Sequence, residues 1–376
     1  MTWKNGDEQR TMKRFMTVML GTFALALSIL AVPAVAGAMP PTGSVDSSNR
    51  MVFTSGSLTG VFEGNVPHIT FYATNDLGRS TYQLNFRALV EFNTTSVSSG
   101  EDTYESPQMV ARADFDAASW TASSFYPIKD NSGTTIGMGF NLTLNSPMQI
   151  VEQNPPVQSL KPGDVVLVAK AYNNTRTMTV NGQSVTINTA EIKIDFVLKA
   201  WPFQSTSDKL ALEVNMHSDY NHFELDQGTG TSSVDATQGE AASVAEHPYQ
   251  ETSDVEQQVR FSSAPVTSSM NIGFFHFVNT ATVTASDGTT TSVPVQASYK
   301  AESEKEEGNT NTFLKLYLAY PYFAPGSTLV HDPSFGLQGG LPTLYIVAAG
   351  SGIAALAAVL VIRSRHAQVQ RYSAQN

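Results

Sequence analysis

Ile192-Lys193-Ile194-Asp195-Phe196-Val197-Leu198-Lys199 alternates in polarity along its length. Its even positions are apolar and its odd positions mostly polar. A period of two sorts side chains onto the two sides of an extended chain, whereas a helix would scatter them. The segment therefore reads as a strand with one buried face and one wet face, the pattern of an antiparallel sheet.

Working outward, similar stretches rich in β-branched and aromatic residues recur between clusters of Gly, Asn, Asp, Ser and Pro from Met51 to Tyr322. The clearest predicted strands are Tyr82–Asn93, Ile136–Leu144, Asp164–Tyr172, Thr186–Phe196, Lys209–Met216, Asn271–Val283, Ser292–Lys300 and Thr312–Tyr320. Helical periodicity is nearly absent, which is the all-β signature. Asn181-Gly182 and Asp287-Gly288 each stand between two such runs, and both pairs suit the positive φ angles of a two-residue hairpin turn. The expected fold is all-β, a large antiparallel β-sandwich of immunoglobulin-like or jelly-roll-like form. It spans residues 39–325, with a mobile loop at about 226–258 where apolar residues thin out and a Pro/Gly stalk at 326–340. One interrupted sandwich is preferred to two domains, because the stretch from Val259 to Tyr322 holds only about four strands.

Both ends are hydrophobic. Lys13 and Arg14 precede an apolar run, Phe15–Val32, that is followed by Ala34, Val35, Ala36, Gly37 and Ala38. A basic start, an apolar middle and small residues in that order read as a secretory signal over 1–38, cleaved after Ala36 or Ala38. The rival reading is an uncleaved anchor, since this mostly apolar run of 18 residues nearly spans a bilayer. Leu341–Ile362 is 22 residues long without a charge, enough for a transmembrane helix. Arg363, Arg365 and His366 follow it. Basic residues on that flank put a tail, 363–376, in the cytoplasm and everything before Leu341 outside. The expected partner at this end is membrane lipid, and Gly350, Ala354 and Ala358 form a small-residue stripe that would suit a homo-oligomer. Leu341-Pro342-Thr343 begins like a wall-attachment signal, but Leu344 and Tyr345 break it.

Charge and composition exclude several functions. The whole chain carries a formal charge of −11, and between Met39 and Gly340 there are 31 acidic against 15 basic residues. Such a surface repels phosphate, so no nucleic-acid partner is expected. With no cysteine, disulfides, thiolate metal sites and cysteine nucleophiles are excluded. An unstapled exported domain of this size leans toward a prokaryotic cell surface.

Candidate sites are few. Asn93, Asn141 and Asn173 each head an Asn-x-Thr triplet, the acceptor for N-linked glycan in an exported chain. His217, Asp219, His222, Glu224 and Asp226 form the densest set of potential divalent-metal ligands, with the last three on one side of an expected strand. Their spacing matches no established site, and a wet strand face explains them equally. No other cofactor is expected. His276, within Phe274-Phe275-His276-Phe277-Val278, reads as a hydrogen-bonded core or interface histidine. The acidic run Glu302–Glu307 reads as a solvated turn, because it lacks the spacing of a calcium loop. No G-x-S-x-G elbow, H-E-x-x-H pair, phosphate loop or dinucleotide fingerprint is present. Asp114 with Asp116, or Glu101 with Asp102, could serve a glycosidase, and Trp120, Phe125 and Tyr126, or the aromatics of Tyr317–Phe323, could stack on sugar, although strand packing explains them as well.

The order of signal, threonine-rich β domain, stalk, C-terminal helix and basic tail resembles that of many archaeal and bacterial surface proteins. The resemblance implies a single-pass, plasma-membrane-anchored surface protein and carries no functional residues. The expected function is non-catalytic: adhesion, binding of an extracellular protein or glycan, or envelope structure. An anchored polysaccharide hydrolase and a divalent-metal-binding module are the alternatives.

Overall fold

The computed structural model describes residues 40–74, 80–93, 108–152, 158–180, 183–218, 222–226, 231–235, 247–248, 256–262, 271–306 and 309–339. The two hydrophobic end segments lie outside these residues, among which no helix is long and apolar enough to cross a membrane.

In chain order the strands are β1 (Thr42–Val45), β2 (Met51–Ser55), β3 (Leu58–Phe62), β4 (His68–Ala73), β5 (Tyr82–Phe92), β6 (Met109–Asp114), β7 (Trp120–Ala122), β8 (Tyr126–Lys129) and β9 (Thr135–Leu144). They continue with β10 (Met148–Glu152), β11 (Gln158–Leu160), β12 (Val165–Tyr172), β13 (Arg176–Val180), β14 (Gln183–Ile187), β15 (Glu191–Leu198), β16 (Lys209–Ser218), β17 (His222–Asp226) and β18 (Thr231–Asp235). The last are β19 (His247–Pro248), β20 (Glu256–Ser262), β21 (Asn271–Val278), β22 (Thr280–Thr284), β23 (Thr290–Pro294), β24 (Gln296–Glu306), β25 (Asn309–Tyr320), β26 (Thr328–His331) and β27 (Ser334–Gly339).

Among the described residues these strands form two large antiparallel sheets and one small hairpin. The first sheet has twelve strands along the path β1-β2-β3-β4-β5-β16-β25-β24-β19, with β6, β10 and β11 continuing from β5. The second has thirteen along β18-β17-β20-β21-β27-β15-β12-β9-β7, with β8 on β9 and β26, β22 and β23 branching from β15. Immunoglobulin-type and jelly-roll sandwiches hold about seven to nine strands, so this architecture is larger than either.

One apolar cluster draws on both sheets. Phe53, Phe62 and Phe71 of β2, β3 and β4 meet Phe140 of β9 and Phe335 of β27, with ring centroids 4.8–5.9 Å apart. Tyr82 of β5 meets Phe261 of β20 at 5.3 Å. Such edge and tilted contacts add to the area buried.

Val180 pairs with Gln183, and Asn181-Gly182 between them lies outside the described residues. The Asp287-Gly288 loop is longer than the two residues expected: Gly288 N–H donates to Ala285 O, Ala285 N–H to Thr289 O, and Gly288 has φ 85°. This is the three-residue hairpin with a left-handed last position. Asp130–Thr134 repeats it with Gly133, and Asp46–Arg50 repeats it with Asn49 at φ 61°. In each loop the aspartate carboxylate accepts backbone N–H groups just ahead of it.

Two segments differ from expectation. The stretch read as a stalk, 326–340, instead supplies β26 and β27, both paired with β15 at the centre of the second sheet. Leu329, Phe335 and Leu337 alternate and are buried, while Pro325-Gly326 makes a tight turn closed by Ser327 N–H to Ala324 O at 3.1 Å with φ 81° at Gly326. The stretch read as a mobile loop, 226–258, contains β18 and β19 and runs into β20; its remaining residues lie outside those described. Apolar residues are sparse there because β18 and β19 end their sheets.

Phe335 is fully buried between the sheets. Phe335→Ala is expected to cost about 3–5 kcal/mol, read as a lower urea midpoint with unchanged slope. A chain ended at Gly326 is expected to lose cooperative unfolding altogether.

Candidate functional site

The expected metal ligands are divided between the sheets. His217 lies in β16 of the first, while His222, Glu224 and Asp226 occupy alternate positions of β17 in the second, between β18 and β20. Asp219 lies outside the described residues. His217 packs on Phe313 at 5.1 Å, and burial, then Arg87 and His68, hold its pKa down at about 4. It is thus a neutral ring in a positive field, which disfavours a cation. Among the described residues no group of three or more His, Asp or Glu is placed to hold a metal ion.

The three glycan acceptors differ in setting. Asn141 is in mid-strand, its Oδ1 accepting the Tyr126 hydroxyl at 2.8 Å and its backbone exchanging bonds with Ser123. Asn93 follows β5, and its N–H donates to Gln108 O. Asn173 follows β12 in a turn, with Asn174 and Thr175 exposed.

The densest chemistry lies on the outer side of the second sheet, which the alternation of β15 produces directly. Ile192, Ile194 and Phe196 enter the core, so Lys193 and Asp195 point the other way, yet they are only 4% and 8% exposed. Lys193 Nζ donates to Asp332 Oδ1 at 2.6 Å and also to Asp195. Lys170 of β12 donates to the other Asp195 oxygen. Beside this cluster the hairpin β13–β14 lays Met178, Val185 and Ile187 on Tyr172, Ile128, Ile136 and Val278. Burial alone would raise Asp195, but Lys193 and Lys170 outweigh it and hold the carboxylate low. Asp332 goes the other way: burial and the adjacent Asp195 raise it despite Lys193.

One strand over, Ser334 Oγ donates to Glu191 Oε1 at 2.5 Å and lies 3.3 Å from His276 Nδ1. Serine, histidine and carboxylate together suggest a nucleophile, but the order is wrong. A catalytic triad places histidine between the other two, whereas here serine is in the middle and spends its proton on Glu191. Glu191 Oε2 also accepts Asn188 N–H at 2.9 Å. The group fastens β15, β27 and β21 together, which keeps to the hydrogen-bonded role expected of His276.

A second buried site was invisible in the sequence. In β5 the even positions from Tyr82 to Phe92 are apolar, which predicts that Glu91 faces water. The register against β16 shifts at Glu213/Val214, leaving Arg87 as an extra residue. This β-bulge reverses the phase: Leu84 and Phe86 are followed into the core by Leu89 and Glu91, while Ala88, Val90 and Phe92 turn outward against Ala211, Tyr317 and Ala319. Glu91, fully buried, accepts Trp201 Nε1–H at 2.8 Å and Gln204 N–H at 2.6 Å, and it shares a hydrogen bond with buried Asp208. Burial pushes its pKa up to about 7.

The carboxylates expected to serve a glycosidase are otherwise occupied. Asp114 pairs with Arg112, and Asp116 bridges Arg87 and His68. Glu101 and Asp102 lie outside the described residues. The acid pairs that are brought together, Glu91–Asp208 and Asp195–Asp332, are hydrogen-bonded to each other. That is closer than the roughly 5–9.5 Å a glycosidase uses. Comparison with protein-family models and with the curated proteins returns no match.

Glu91 generates a pH prediction. The folded chain keeps a proton that the unfolded chain releases in the ordinary carboxylate range, so stability falls as pH rises from there through about 7. Unfolding midpoints measured from pH 5 to 8 are expected to decline, and Glu91→Gln is expected to flatten that slope.

Proposed function

We propose that the protein is a non-catalytic cell-surface module: an exported β-sandwich held by a C-terminal transmembrane helix and carrying an acidic outer surface toward a protein or glycan partner. The observation that carries this reading is the state of the polar clusters. In two of them, Ser334–Glu191 and Glu91–Trp201, the protons and lone pairs of the polar side chains are already spent on fastening strands. Groups so committed hold a scaffold together and leave binding to the surface. The hydrophobic end segments and the basic flank after Ile362 support the export and the anchor.

On this reading the domain sits close to the bilayer. β27 runs to Gly339, and only Gly340 stands between it and the apolar run at Leu341. At about 3.3–3.6 Å per residue, such a link spans only a few ångströms. The acidic surface suits a zwitterionic bilayer face, and partners that carry cationic or neutral polar groups.

On intact cells, protease is expected to remove epitopes after Pro40 while a tag after Asn376 stays protected; an accessible C-terminal tag would overturn the topology. In-cell crosslinking, followed by identification of the attached species, then separates a protein partner, a glycan and a second copy. Asn173 stands in a turn with Asn174 and Thr175 exposed, its Nδ2 donating to Thr135 O at 3.2 Å, whereas Asn141 is held in mid-strand. In an N-glycosylating host Asn173→Gln is expected to abolish the mass increment, and Asn141→Gln to leave it intact.

A further inference from the structure

We propose that the folded chain closes an intramolecular amide bond between Lys193 Nζ and the side-chain carboxyl carbon of Asp332, with Asp195 receiving a proton in the step. The inference does not depend on what the domain binds.

The geometry comes first. Lys193 Nζ is 2.6 Å from Asp332 Oδ1. An amine hydrogen-bonded to a carboxyl oxygen lies about 3–3.5 Å from the carboxyl carbon, the separation of a near-attack arrangement. Neither partner can swing away easily, because Lys193 is in the middle of β15 and Asp332 is fixed between β26 and β27, both paired with that same strand. Lys193 is almost entirely buried, so the water whose high concentration normally disfavours amide formation is excluded.

Asp195 and Asp332 hold Lys193 as ammonium against the effect of burial, so the step has to begin with its deprotonation. Two cations, Lys170 and Lys193, face two acids, Asp195 and Asp332, and the acids are hydrogen-bonded to each other. Lys170 stands against Asp195 and keeps it ionised, while Asp332 is the acid better suited to hold a proton. Starting from ammonium, Asp195 carboxylate and Asp332 carboxylic acid, Asp195 takes one proton from Lys193. The freed amine lone pair attacks the Asp332 carbon, forming the C–N bond. The C–O bond to the Asp332 hydroxyl then breaks, and that hydroxyl leaves as water with a second proton from nitrogen. The third proton stays on the amide. Charge is zero before and after, nothing is oxidised or reduced, and no co-reactant is needed. Asp195 touches the reacting nitrogen and is the proton acceptor. Tyr126 and Tyr172, both with pKa values raised by burial and both acted on by Asp195, add to the desolvated surroundings.

The bond would also supply something this chain lacks. With no cysteine, it has no disulfide, and an amide here would tie positions 139 residues apart, joining the last strands to the centre of the sheet. A cross-link over so long a loop restricts the unfolded chain strongly.

The test is peptide mapping of the purified full-length protein by mass spectrometry. The expected result is a branched peptide containing Lys193 and Asp332, lighter by one water than its two linear components, with no tryptic cleavage after Lys193. Recovery of both linear peptides at full mass, with no branched species, would overturn the proposal. Asp195→Ala, checked for retained β-structure by circular dichroism, is expected to lower the branched yield at least tenfold; an undiminished yield would remove Asp195 from the step. Lys193→Arg keeps the positive charge and is expected to give linear peptides only.

Discussion

The structure depends on the interdigitation of aromatic rings between its two sheets. Phe53, Phe62, Phe71 and Tyr82 descend from four neighbouring strands of the first sheet and meet Phe140, Phe335 and Phe261 of the second. The chain has no disulfide and no described metal site to assist it, so burial must outweigh the entropy of ordering two wide sheets. The seam also fixes register. A one-residue slip of β3 or β4 would carry a phenylalanine from the core to the outer face, and every pairing beyond it would follow.

The outer faces show what happens once the core is satisfied. An antiparallel sheet ordinarily wets its far side, but Lys193, Asp195, Glu191 and Ser334 are polar, outward and buried. They remain acceptable there because each has a partner of opposite charge or complementary hydrogen-bonding role. Arg112 with Glu213 does the same on the first sheet at 2.6 Å. These pairs add little net stability, yet breaking one would leave a buried charge uncompensated, which is costly. They therefore constrain which strands can be neighbours more than they deepen the fold.

Fold class was legible because alternation is local. Five of the eight strands expected from periodicity match single observed strands, whereas Thr186–Phe196, Asn271–Val283 and Ser292–Lys300 each run across two, β14 and β15, β21 and β22, and β23 and β24. Three features were not legible, each because it depends on distant contacts. The bulge at Arg87 reverses which residues of β5 face inward, and only the pairing with β16 reveals it. Glu91, on the outward phase of the local alternation, is consequently buried. The segment after Pro325 looked like a stalk because Pro and Gly dominate its start, whereas its strand character rests on Leu329, Phe335 and Leu337 finding a place beside β15. The Lys193–Asp332 pair joins residues far apart in sequence, and neither residue alone marks a site. His217 drew attention through its neighbours in sequence, and the structure gave it different neighbours, Phe313, Arg87 and His68.

The position of β27 links the scaffold to the proposed anchor. For a chain held at its C-terminal end, load enters at Gly339 and runs backward along β27. That strand lies inside the sheet, between β21 and β15, so the load must shear two ladders at once instead of peeling an edge strand bond by bond. At the far end of the strand stands Asp332, and its contact with Lys193 passes the load into β15, which also pairs with β12 and β26. Seen this way, the Glu191–Ser334–His276 chain and the Lys193–Asp195–Asp332 cluster perform one task. They fasten the load-bearing strand to both of its neighbours at the point where hydrogen bonding along β27 comes to an end.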